Sequence, residues 1–158
     1  MRRFRSYALV LGALVALVPA ARAEEEKRER SNELSAIVAG THENENTYFT
    51  LGVEYKRELS ELFALSAIGE VVVEGDSRDG VGVLLAVLNP WSGLHLLAGP
   101  GFELSPEGTS FLFRVGAGWG FEFGERYSLT PAVEFDFVDG DDGVDRAVVF
   151  GVSFGFGF

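Results

Sequence analysis

Ten ionisable side chains fall where strand alternation would turn them to one face: Glu54, Lys56, Glu70, Glu74, His95, Glu103, Arg114, Glu122, Glu134 and Asp136. Seven are carboxylates, two are cations and one is a histidine. If that face lined an open conduit, the carboxylate excess would favour cations. If it is shut away from water, the charges must pair, because an unpartnered buried charge is costly. Arg114 and Glu134 fall on neighbouring segments, whereas Glu122 and Asp136 fall near opposite ends. The expectation is a salt-bridge network that fills an interior; the alternative is a narrow cation-preferring pore.

Catalysis finds little support. A covalent mechanism needs a nucleophile, a base and an orienter within reach. His42 and His95 are the only histidines, and His95 sits between Leu94 and Leu96 with no serine beside it. Ser35, Ser66, Ser128 and Ser153 could share the inner face, but no triad spacing emerges. The chain is expected not to be an enzyme and to need no cofactor. It has no cysteine, so disulfides and thiolate metal sites are excluded. A second candidate is the stretch 139–145, where Asp139, Asp141, Asp142 and Asp145 place four carboxylates in seven residues. Carboxylates suit hard divalent cations, but the full EF-hand spacing and its terminal Glu are missing. A solvated turn that uses Asp and Gly for its backbone angles is the expected reading.

Eight alternating segments would position these groups, at 33–41, 46–57, 62–74, 80–88, 94–104, 109–123, 127–138 and 145–158. The last is the most regular: Phe150, Val152, Phe154, Phe156 and Phe158 share one face, Gly151, Ser153, Gly155 and Gly157 the other. In the fourth, Val81, Val83, Leu85 and Val87 are expected outward, with Leu84 and Leu88 inward. The first is blurred by adjacent Ile37 and Val38. Pro100 and Pro131 fall inside segments, where a proline marks an edge, bulge or kink. A small soluble barrel with the Phe and Val rows inside would be overfilled; the glycine-rich face fits a tight interior better. The aromatic face is therefore expected to meet lipid. Tyr55, Trp91, Trp119 and Tyr127 would sit at the membrane interface.

The N-terminus reads as a secretory signal, 1–23: Arg2, Arg3 and Arg5, an apolar run over 8–18 too short to span a bilayer, then Ala21-Arg22-Ala23. A flexible charged leader, 24–32, and a barrel, 33–158, would follow. Four of the 13 basic residues lie in the signal and all 24 acidic ones beyond it, so the remainder carries a formal charge of −15. Nucleic-acid binding is excluded on that ground.

This pattern resembles the small outer-membrane β-barrels of Gram-negative bacteria, the group with OmpA- and OmpX-type eight-stranded architecture. The resemblance rests on the signal, the eight segments over 33–158 and the terminal phenylalanine. It implies an all-β, eight-stranded antiparallel up-and-down transmembrane barrel, monomeric, held in outer-membrane lipid and lipopolysaccharide. It also implies handling by periplasmic chaperones and by the barrel-assembly machinery. Phe154, Phe156 and Phe158 match the terminal pattern that this machinery reads, although Ser153 stands where a glycine is usual. The acidic stretch 139–145 could bridge lipopolysaccharide phosphates through a divalent ion. With the termini periplasmic, the outer connections would be 41–46, 75–79, 105–108 and 139–144. Those short loops favour a structural, envelope-stabilising role over an adhesin-type one.

Overall fold

The computed structural model describes residues 32–158 apart from 76, 107, 141 and 142. The proposed signal and all but the last residue of the leader lie outside the described residues. Among the described residues nine strands occur in order: β1 (Asn32–Glu43), β2 (Asn46–Glu58), β3 (Phe63–Glu74), β4 (Ser77–Trp91), β5 (Leu94–Ser105), β6 (Gly108–Trp119), β7 (Phe121–Phe123), β8 (Tyr127–Gly140) and β9 (Gly143–Gly157). The short β7 continues β6 beyond Gly120, and both pair with β8 in one register, from Gly118↔Ala132 to Phe121↔Leu129. Each strand pairs antiparallel with its neighbours and β1 pairs with β9, so eight barrel strands close on themselves.

Closure leaves one inner and one outer surface, and side chains alternate between them. In β9, Phe150, Phe154 and Phe156 face outward and are exposed, while Ala147 and Val149 are buried inside. The blurred first segment resolves the same way: Val38 is exposed and Ile37 turns inward against the apolar core. Large outer rings lie over glycines of the adjacent strand. Phe102 stands across from Gly82 and Phe150 across from Gly40, where an added Cβ would come within 2.6 and 2.9 Å of the ring.

The fourth segment is a correction. Val81, Val83, Leu85 and Val87 face inward, and Leu84 faces out; Leu84 is 65% exposed and Leu85 2%. Residues directly opposite in an antiparallel ladder share a face. Ser66↔Leu85, Ile68↔Val83 and Glu70↔Val81 therefore fix the phase of β4 from the inward residues of β3. Because β4 is apolar on both faces, its own alternation carried no such information.

The prolines sit where the ladder already lapses. The β4–β5 pairing passes from Val83↔Gly101 to Ala86↔Ala98 with Pro100 in the interval. Pro131 lies opposite the interruption between β6 and β7. A missing N–H therefore costs little at either place. The connections on the side away from the termini are tighter than expected. Successive strands end and begin three positions apart there, Glu43 to Asn46, Glu74 to Ser77, Ser105 to Gly108 and Gly140 to Gly143, so strand takes up most of the anticipated loops. Asn44 and Glu45 carry the positive φ angles that such hairpin turns require. Tyr55, Trp91, Trp119 and Tyr127 all gather at the opposite end, next to turns 92–93 and 124–126 or near the chain termini. There Tyr127 packs with Phe123, Phe154 and Phe156 at ring-centroid distances of 5.7–6.1 Å.

Candidate functional site

The lumen is filled by two kinds of side chain. Toward β3 and β4, Ala64, Ile68, Val81, Val83, Leu85 and Val87 form a buried apolar cluster with Leu112 of β6. Two residues further along β6, Arg114 faces the same interior and is fully buried. Its guanidinium donates from Nε and Nη2 to Asp136, at 2.6 and 2.7 Å, as a two-pronged fork. Nη2 also donates to Glu70 Oε2 at 2.8 Å. Nη1 lies 2.8 Å from Glu134 Oε2, an ion-pair contact out of line for a hydrogen bond. Register explains the convergence: Arg114 is paired with Asp136 across the β6–β8 ladder, Glu134 is two residues along on the same face, and Glu70 reaches across from β3. Four of the ten charged residues anticipated from the sequence thus meet at one point.

The others disperse. Lys56 pairs with Glu33 at 2.7 Å, and Glu33 also accepts from Ser128 at 2.8 Å. Glu54 accepts a hydrogen bond from Ser66 at 2.6 Å. His95 Nδ1 lies 2.7 Å from Asn89 Oδ1. Glu103 lines the lumen at the end away from the termini, and Glu122 is exposed at the other rim. Glu74 ends β3, and its side chain lies outside the described part. Glu33 was missed as a site residue. Alternation carried back two positions from Ser35 would have placed it inward, but the irregular first segment gave no phase.

The Arg114 cluster separates two small cavities. One, of about 60 Å³, lies on the side of the termini and touches Glu54, Lys56, His95, Glu134 and Ser153 among apolar neighbours. The other, of about 40 Å³, lies beyond it and touches Glu43, Asp79, Glu103, Arg114 and Asp136. Each is of a size for a few waters. Of the acidic stretch, Asp141 and Asp142 lie outside the described residues. Asp139 and Asp145 occupy adjacent rungs of the β8–β9 hairpin, Asp139↔Val144 and Val138↔Asp145, so alternation sends them to opposite faces. Among the described residues, no group of three or more His, Cys, Asp or Glu is arranged to hold a metal ion. His42 is away from the lumen, its Nδ1 2.9 Å from Thr47 Oγ1.

No family model and no curated protein matches the sequence. Solved structures do match in fold. The outer membrane protein OprG from Pseudomonas aeruginosa aligns with a TM-score of 0.59 at 11% identity, over 82% of this chain and 96% of that one. The N-terminal β-barrel domain of Pseudomonas aeruginosa OprF gives 0.57 at 15% identity, over 81% and 100%. Neisserial surface protein A gives 0.55 at 11%, over 80% and 96%. At these identities the likeness is one of fold. With its closed antiparallel wall, exposed apolar outer face and filled charged interior, the chain is an eight-stranded transmembrane β-barrel.

Proposed function

We propose that the protein is an integral outer-membrane barrel whose role is structural, stabilising the envelope, with a lumen closed by its own side chains. The observation that carries this reading is Arg114. A guanidinium held by three carboxylates is flanked by packed hydrocarbon, with cavities of about 60 and 40 Å³ on either side. Moving a solute through would separate buried ion pairs, and breaking one such pair costs about 3–5 kcal/mol. The short distances along the chain between successive strands support the same role, since partner recognition draws on long, variable loops. No catalytic activity is proposed.

In this reading the chain is exported by its N-terminal signal and inserted as a monomer among lipid and lipopolysaccharide. The barrel-assembly machinery reads Phe154 and Phe156 on the outer face of β9 and Phe158 just beyond its end. Deleting Phe158 is expected to lower the amount of heat-modifiable protein in outer-membrane fractions; unchanged levels would remove that role. Planar-bilayer recording tests the plug. Silence is expected, and a steady cation-selective conductance would replace the structural role with that of a narrow pore.

A further inference from the structure

We propose that Glu33 is a latch that holds the barrel shut across the seam between its first and last strands. Every other ladder joins barrel strands adjacent in sequence, whereas β1–β9 joins the first strand to the last. Closing it brings together segments separated by about a hundred residues, an entropic cost that local hairpins do not carry.

The inner face of β9 offers small side chains to offset that cost: Gly151, Ser153, Gly155 and Gly157. Glu33 uses the smallness. Its Oε1 meets Lys56 Nζ of β2 at 2.7 Å, and its Oε2 passes over β9 to accept from Ser128 Oγ of β8 at 2.8 Å. One carboxylate on β1 therefore ties β2 to β8 across β9, with the seam in the middle of its reach. Gly155 is paired with Ser35 on one side and Ser128 on the other. A Cβ there would come within 2.7 Å of Glu33 Cδ and 2.9 Å of Ser35 Oγ, and nearer still to Ser128 Oγ. Any side chain at 155 would push the latch open. The groups are buried, Glu33 and Ser128 at 5% exposure each, so water does not replace a lost bond cheaply. Backbone bonds finish the same corner, Gly157 N–H to Arg126 O at 2.8 Å and Phe158 N–H to Asn32 O at 2.9 Å. The glycine and serine face of the last strand is thus a track for a latch as well as a sign of a narrow bore.

The test is the rate of folding into lipid vesicles, read as the heat-modifiable gel band. Ser66→Ala is the control, because it removes a comparable bond to a carboxylate, that of Glu54, but within the β2–β3 hairpin. Glu33→Ala and Gly155→Val are expected to slow folding at least about fivefold, while Ser66→Ala folds at the parent rate. If Glu33→Ala yields no folded band, Ser128→Ala carries the test, since it keeps the Glu33–Lys56 pair. Folding of Glu33→Ala or Ser128→Ala at the parent rate, or equal slowing by Ser66→Ala, would overturn the latch. Bilayer conductance is a separate readout, so a failed latch leaves the plugged lumen standing.

Discussion

On the β3–β4 side the lumen is closed by hydrocarbon, with Ile68, Val81, Val83, Leu85 and Val87 packed together; on the β6–β8 side it is closed by Arg114 and its carboxylates. The boundary runs along β6, where Leu112 and Arg114, two residues apart, are both fully buried and face different fillings. The hydrocarbon wall is non-directional, so its stability depends on volume and tolerates exchanges of similar size. The ionic wall is directional. Nε and Nη2 have acceptors at 2.6–2.8 Å and Nη1 an ion-pair contact at 2.8 Å, and losing one partner leaves the others buried without their counter-charge. A plug built wholly of hydrocarbon would fill the bore as well. The ionic half additionally fixes β3, β6 and β8 relative to one another, because its geometry admits one arrangement of three strands.

The sharpest way to break this comparison is Arg114→Leu. Leaving Glu70, Glu134 and Asp136 buried without their cation is expected to cost about 3–5 kcal/mol in urea unfolding from vesicles. A loss below about 1 kcal/mol would mean that water reaches those carboxylates and that the ionic wall is open. On the hydrocarbon wall, Leu85→Ala should cost about 3 kcal/mol through the cavity it leaves. Its neighbour Leu84→Ala should cost under about 1 kcal/mol, since lipid tails as apolar as leucine close over the site. Equal losses at the two positions would contradict the phase assigned to β4. The chain has no cysteine, so single Leu84→Cys and Leu85→Cys variants give a second reading: a lipid-soluble thiol reagent should modify the first alone. Ser66→Ala is a further small change, expected to cost about 1 kcal/mol for one hydrogen bond to Glu54.

Much of the barrel was legible because strand alternation is local. Phe111, Phe113, Phe135, Phe150, Phe154 and Phe156 could be turned outward from sequence, and Glu70, Arg114, Glu134 and Asp136 inward, since most stand in segments where apolar residues alternate with polar or small ones. β4 was not legible, because valine and leucine on both faces leave a period without a phase. Glu33 was hidden by the irregular start of β1, and the loops were overestimated because Asp, Glu and Gly stand inside strand ends as readily as in turns at this rim.

By itself the sequence determined the number of crossing segments, the lipid-facing side of most of them and the stock of charge that an interior would have to pair. Those follow from composition and from a period of two, properties of each segment alone. Only the tertiary structure decided which carboxylates meet Arg114, which way β4 turns and how Glu33 crosses the seam. These depend on the stagger between strands and on closure of the first onto the last. One residue of slip would send every side chain of a strand to the other face, and no single segment contains the information that forbids it.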